Sequence, residues 1–346
     1  MKTNLIKKNI LSVSFVVLIM LLNPLTPMFA QDAAPVNYAP KELPGKGLSQ
    51  HPFLMTGEFD SRENRDQTIF VVRDGKISWS YSIPFNDKNG VSQELGDATM
   101  LSNGNIAFCK KTGASIITPD KKIIFNIDAE PNSEIHGIQP LGKDRVLVVQ
   151  NGHPSKIMTI NIKTNKIEKT INLPTSDNPS PHLQFRRVRL TSEGTYLAAH
   201  LDNNKVVEYN ADGKEIWSYK VGGPWSAVRL KNGNTLITSY PNTVIEVNKK
   251  SEVVWKFTQQ DAPEYKFSIF QGVQRLANGN TVICNWCGNV RNKKDWTQTV
   301  QLIEVTPDKK IVWATREWTP PLDLGVATSI QLLDEKGAAE KDELQR

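Results

Sequence analysis

The chain has 346 residues, with 42 Lys and Arg against 36 Asp and Glu, a formal net charge of +6 and 39% hydrophobic residues. This balance is ordinary for a soluble chain, and no dense basic stripe points to nucleic acid. The length allows one large domain.

In chain order, residues 1–30 read as a secretory signal peptide. Lys2, Lys7 and Lys8 precede a 13-residue apolar run, Ile10–Leu22, and Pro24, Pro27 and Ala30 follow. The run falls short of the roughly 20 apolar residues of a transmembrane helix. No Cys lies nearby to carry a lipid. Cleavage is expected after Ala30, and loss of the three lysines leaves 39 − 36 = +3. Residues 31–50, rich in Pro, Ala and Gly, read as a linker. The expectation is a bacterial protein exported to the periplasm or cell surface, with no transmembrane segment after cleavage.

Six hairpins follow: Ile69–Tyr81, Ser115–Ile127, Ile157–Ile171, Val206–Tyr219, Val244–Phe257 and Leu302–Thr315. Each is a strand, a polar turn and a second strand, usually with an aromatic residue near its end. Such a hairpin cannot bury its own apolar face, so a regular series of them implies a radial array. A second marker keeps step: a short strand ending in Leu runs into a polar turn. These leucines, Leu101, Leu141, Leu190, Leu230, Leu276 and Leu332, are spaced 40, 49, 40, 46 and 56 residues apart. That is the length of a four-stranded propeller blade.

From Leu230 the four strands a to d read as Ser226–Leu230, Thr235–Ser239, Thr243–Val247 and Val253–Phe257, with the first turn at Asn232-Gly233. The first hairpin lacks a strand a, and the last marker, Thr328–Asp334, lacks the other three. Joined, they complete a blade with Pro52–Tyr81. The expected fold is therefore all-β: a six-bladed β-propeller over residues 51–334, closed by the C-terminal strand a joining N-terminal strands b to d. Closure of this kind removes exposed sheet edges. A β-sandwich gives no reason for sixfold similarity, and a seventh blade would need a hidden unit. The long interval before Leu332 is assigned to a loop insertion at Gly288–Thr297. Residues 335–346 form a charged tail, expected to fray.

Cys109 stands alone in strand b of the second blade, and Cys284 and Cys287 lie near the end of strand b in the sixth. Residues three apart on a strand face opposite sides, so a disulfide there needs a bulge or turn. A zinc site would need two further ligands, and there is no second Cys pair. The expectation is buried free thiols and no metal.

Propellers keep their chemistry where strand a meets the channel and where the d-to-a and b-to-c connections converge. The candidates there are Glu58 in the closing blade, Asp97 in the second, and His136 and His153 in the third. The fourth offers Arg187 and His200, the fifth Trp225, and the sixth Gln271, Asn285 and Trp286. Lys111, His182 and Arg186 also fall on this face. Arg186 and Arg187 are adjacent on a strand, so one is expected to face the channel and the other to be structural. Imidazole and cationic groups on one side, with flat apolar rings on the other, suit a planar or ring-shaped anionic ligand. His136 and His200 are the candidate catalytic residues, as bases or nucleophiles. His136, Arg187, His200 and Trp286 are expected to line one cavity. Trp79, Trp217, Trp255 and Trp313 end d strands and are assigned to packing between blades.

The units LKNGNTLITS…VIEVNKKSEVVWKF and LANGNTVICN…LIEVTPDKKIVWAT resemble blades of bacterial quinoprotein-type (PQQ-like) propellers. They are also similar to the repeats of bacterial arylsulfotransferases, exported six-bladed propellers that use a histidine at the channel mouth. The chain lacks the extra N-terminal domain of those sulfotransferases. The quinoprotein docking pattern survives only as Gly-Lys-x-x-Trp at Gly75–Trp79 and Gly213–Trp217, so no PQQ or other cofactor is expected. The resemblance covers most of Pro52–Asp334 and bears on fold more than on activity. Two functions follow as expectations. One is an exported propeller binding a small molecule, glycan or protein partner at its mouth. The other is a His-dependent sulfotransferase or lyase acting on an anionic sugar or aryl ester.

Overall fold

The computed structural model describes residues 38–346, apart from 59, 63–64 and 178–179. The expected signal peptide and the first part of the linker lie outside the described residues. Six four-stranded antiparallel sheets form the propeller, and no helix among the described residues is long and apolar enough to cross a membrane. The fifth blade is built of Pro224–Arg229, Thr235–Ser239, Thr243–Val247 and Val253–Thr258, within two residues of the sequence reading at every end. The ring closes in the first blade, where Val326–Leu332 pairs with Phe53–Glu58 in a register that sets Leu54 opposite Gln331 and Met55 opposite Ile330.

Each sheet alone is too small to bury both faces. Apolar residues of neighbouring blades therefore share each core, as where Leu147 and Val149 of the third blade meet Phe185, Ala198 and Tyr209 of the fourth. Two polar devices lock the blades. The outer-strand tryptophans donate their indole N–H to the next blade's outer turn: Trp79 to Pro119 O at 2.8 Å, Trp217 to Ser251 Oγ at 3.1 Å and Trp255 to Pro307 O at 2.9 Å. Glutamines on inner strands pair with the neighbouring inner backbone. Gln139 holds both the N–H and C=O of Leu190, and Gln331 holds those of Met100. These bonds satisfy backbone groups that the sheets leave unpaired at the channel wall.

Both flanking segments are ordered against the ring. The C-terminal half of the expected linker packs on the sixth blade, with Trp313 Nε1 donating to Gly47 O at 2.8 Å and Ala314 N to Pro44 O at 3.2 Å. The tail does not fray. Glu340 accepts from Ser102, Gln345 bridges Arg275, and Arg346 is buried in the channel, donating to Ala98 O at 2.7 Å and Ile330 O at 3.2 Å. Two of the charges that suggested a solvated tail, Glu340 and Arg346, are buried, while Lys336, Lys341, Asp342 and Glu343 stay exposed. All three cysteines are buried free thiols; burial pushes Cys284 and Cys287 up to about 12, which leaves them unreactive near neutral pH.

Candidate functional site at the channel mouth

Every inner strand carries an irregularity at the same level. In the second blade Leu95 pairs with Lys110 but Ala98 with Phe108, leaving Gly96 and Asp97 opposite Cys109 alone. The same shift leaves His136 unpaired in the third blade, Arg186 and Arg187 in the fourth, Trp225 in the fifth and Gln271 with Gly272 in the sixth. In the closing blade the extra residue is Thr328. A bulge breaks the pleat and re-aims its side chain. Here six bulges aim inward, and the residues they release, with Glu58 and Glu94, line one central cavity. The bulge also corrects the expectation for Arg186 and Arg187: strict alternation fails there, and both guanidinium groups reach the cavity.

The enclosed space is about 30 Å³. That is room for one or two waters. A larger ligand would have to rest on the open rim and insert one small group.

One wall is a chain of polar contacts. His136 Nε2 donates to Glu134 Oε2 at 2.8 Å, and His182 Nδ1 meets the same oxygen at 2.9 Å. Lys111 Nζ holds the other Glu134 oxygen at 3.0 Å. Arg186 Nη1 lies 3.5 Å from His136 Nδ1 and 3.6 Å from Glu94 Oε1. A guanidinium can only donate, so His136 accepts at Nδ1 and carries its proton on Nε2. Burial pushes His136 below the usual imidazole range, and the Arg186 charge adds to this against the pull of Glu134. Burial works to raise Glu134, but His136, His182 and Lys111 prevail and hold it well below the carboxylate range.

The opposite wall is Trp225, over which the Arg186 guanidinium lies at 4.5 Å. Glu58, which also lines the cavity, is buried. Desolvation, and then the charge of Glu94, push its carboxyl well above the usual range. Burial also works to raise Glu94, but His136, His182 and Arg186 outweigh it and hold Glu94 below. Two neighbouring carboxyl groups are thus driven apart, one protonated and one ionised. Glu58 Oε2 and Arg186 Nε are buried without a hydrogen-bond partner. Burial works to raise Asp97 as well, but Arg189, at 2.7 Å, and Arg187 and Arg346 outweigh it and hold Asp97 below the usual carboxylate range.

The sequence candidates divide. Glu58, Asp97, His136, Arg187, Trp225 and Gln271 line the cavity. Arg187 is committed to Thr328 O at 2.8 Å, and Gln271 accepts from Thr328 Oγ1. The expected cavity shared by His136, Arg187, His200 and Trp286 does not form. His200 is fully buried between blades, its ring 4.2 Å from that of Phe185 and its Nε2 2.7 Å from Tyr209 Oη. It lies on the core side of its strand, where it pairs with Phe185 just before the bulge. His153 is exposed on the loop between strands of the third blade. Asn285 is a brace: it donates to Val300 O at 2.7 Å and accepts from Ser268 N at 2.8 Å. Trp286 packs in a separate cluster with Cys287, Trp296, Trp318 and Val326.

Glu94 and Glu134 escaped the sequence reading, and His182 and Lys111 were not drawn into the site. The spacing held a signal. In five blades the bulge falls four or five residues before the marker leucine, and in the fourth three or four before it. Glu134 lies two residues before the His136 bulge, and Glu94 two before Gly96.

A family profile described as outer membrane protein assembly factor BamB matches residues 176–290, which span the fourth and fifth blades and the first two strands of the sixth. No curated protein matches the chain. Among solved structures, a protein of unknown function from Bacteroides caccae is similar, with a TM-score of 0.70 and 25% identity over 81% of this chain and 98% of that one. A catalytically inactive virginiamycin B lyase from Staphylococcus aureus, solved with quinupristin, gives a TM-score of 0.52 at 15% identity, over 80% of this chain and 89% of that one. The second likeness is one of fold.

Proposed function

We propose that this chain, a β-propeller of the PQQ-like repeat family, is an exported protein that binds a small ligand at its channel mouth through an anionic or polar group. The basic, apolar and small-residue order of residues 1–30 supports export. The observation that carries the binding reading is that two of the buried polar atoms without a hydrogen-bond partner, Glu58 Oε2 and Arg186 Nε, belong to residues lining one cavity. Buried polar atoms in native proteins find partners, and a ligand group reaching between them would satisfy both. Trp225 supplies a flat face beside the cavity for the body of a sugar or aryl ligand. The neutral Glu58 can donate a hydrogen bond and Arg186 can pair with a carboxylate or sulfate.

A second reading, a lyase, rests on the Glu134–His136 pair. Glu134 orients a neutral imidazole whose Nδ1 lone pair faces the Arg186 guanidinium, and that lone pair is released when Arg186 turns to hold a substrate carboxylate. That geometry suits removal of a proton next to the carboxylate.

Thermal-shift and calorimetric screening against uronic-acid oligosaccharides, small carboxylates and aryl sulfates tests both readings. Binding that Arg186→Ala and Trp225→Ala each weaken at least tenfold supports the mouth site; binding indifferent to both removes it. Product formed from a bound uronate, and abolished by His136→Ala with binding kept, selects the lyase.

A further inference from the structure

Glu134, His136 and His182 bring their ligating atoms within 4.8 Å of one another at the mouth. We propose that they hold a divalent transition-metal ion of the zinc class, with Glu94 as a fourth, outer carboxylate. The proposal goes beyond the ligand reading and does not depend on it.

Two His and one Glu are the donor set of three-ligand zinc sites that leave a position open. Imidazole nitrogens select zinc-class ions over magnesium or calcium, which take oxygen ligands. The distances fit. His136 Nε2 and His182 Nδ1 converge on a single Glu134 oxygen at 2.8 and 2.9 Å. In a tetrahedral site with bonds of about 2.0–2.1 Å, ligand atoms stand roughly 3.3–3.5 Å apart. An outward shift of about half an ångström therefore makes room. Glu94 Oε2 already stands 3.6 Å from His182 Nδ1. Lys111, on the other Glu134 oxygen at 3.0 Å, fixes the carboxylate as an outer partner does in metal sites. The His182 side chain is 37% exposed, so the site has an entrance.

A second observation lies beside the cluster. His136 and the outer carboxylate Glu94 also line the central cavity, where Glu58, only 5% exposed, leaves its Oε2 without a hydrogen-bond partner. One contact opposes loading. A metal on His136 Nε2 moves the ring proton to Nδ1, where Arg186 Nη1 waits at 3.5 Å as another donor. Arg186 must turn away, which frees it toward the mouth. This makes a sharp prediction: Arg186→Gln, whose carbonyl can accept from Nδ1–H, binds the metal more tightly.

The test is calorimetric titration of Zn²⁺ into the untagged full chain after chelator treatment, with Co²⁺ absorption to report coordination. One ion should bind, with the spectrum of a tetrahedral nitrogen and oxygen site. His182→Ala, at a half-exposed position that should leave folding intact, and Glu134→Gln should each weaken it at least tenfold. Arg186→Gln should strengthen it severalfold, and His153→Ala should leave it unchanged. No binding, an octahedral all-oxygen spectrum, or equal affinity in His182→Ala would overturn the proposal. Ligand screening repeated in chelator separates the two ideas. Ligand binding that survives without Zn²⁺ uptake sinks only the metal site, and Zn²⁺ uptake without any ligand sinks only the binding reading.

Discussion

At the residue scale the cavity is held together by unequal protonation. Glu58 ionises in the unfolded chain near the usual value of about 4.3, but in the fold its carboxyl is pushed well above that by burial and by Glu94. Between those two pKa values the folded state binds the extra proton, so stability falls as pH rises. The fall is up to about 1.4 kcal/mol per pH unit within the window. Glu58→Gln should remove it. In urea unfolding at pH 5 and pH 8, wild type should lose more stability than the variant across the interval; equal losses would mean that Glu58 is ionised in the fold. His200 makes the complementary case. His200→Ala leaves Tyr209 Oη without its partner inside a core and empties the space of a buried ring, and should cost about 2–4 kcal/mol. Ligand binding at the mouth should be unchanged, whereas a loss of binding out of proportion to stability would return His200 to the site. Sequence position could not separate the two histidines. Both sit near strand ends on the same face, and only the bulge decides which ring turns to the channel and which to the core.

At the element scale the working unit is the bulged inner strand. Leucine spacing and hairpin pattern made the strands legible, because apolar alternation and Asn-Gly turns follow from backbone sterics. The bulges were not legible, since one extra residue leaves no mark in period-two patterning when the strand is buried on both sides. The Arg186–Arg187 pair shows the consequence: alternation predicts one channel residue and the bulge delivers two. Glycine stands in two bulges, as Gly96 and Gly272. A Cβ on Gly272 would lie 2.7 Å from Thr328 O and 3.0 Å from Ser329 Cα, both backbone of the adjoining inner strand. Gly272→Ala should therefore cost about 1–3 kcal/mol. Gly137→Ala, whose Cβ would meet the Val149 side chain at 3.5 Å and Val188 N at 4.0 Å, both ordinary contacts, should cost about 0.5 kcal/mol or less. Chemical denaturation of the two variants compares them directly, and similar costs would show that the inner strands can separate to admit a methyl group.

At the scale of the whole molecule, closure turns six separate strand ends into one funnel. Its existence was legible because the first hairpin and last marker each lacked what the other supplied. The second lock was hidden. Arg346 reaches back from the chain's end to Ala98 O and Ile330 O on two inner strands, and its guanidinium stands 3.8 Å from Asp97. Nothing in a charged tail's composition reveals a partner buried in a channel. Removal of residues 335–346 should leave the β-sheet circular dichroism intact and lower Tm by roughly 5 °C or more, whereas removal from Val326 onward should abolish cooperative unfolding. A tail deletion without effect on Tm would make the Arg346 contacts incidental.

The claim on which the functional account turns is that the bulge residues form a binding site. Calorimetric titration of the wild-type chain and of Arg186→Ala with the tightest compound from the carboxylate, sulfate and uronate panel tests it most directly. The account predicts one site per chain and at least a tenfold loss in the variant, measured at a temperature where its circular dichroism matches that of wild type. Equal affinity in both proteins would contradict it.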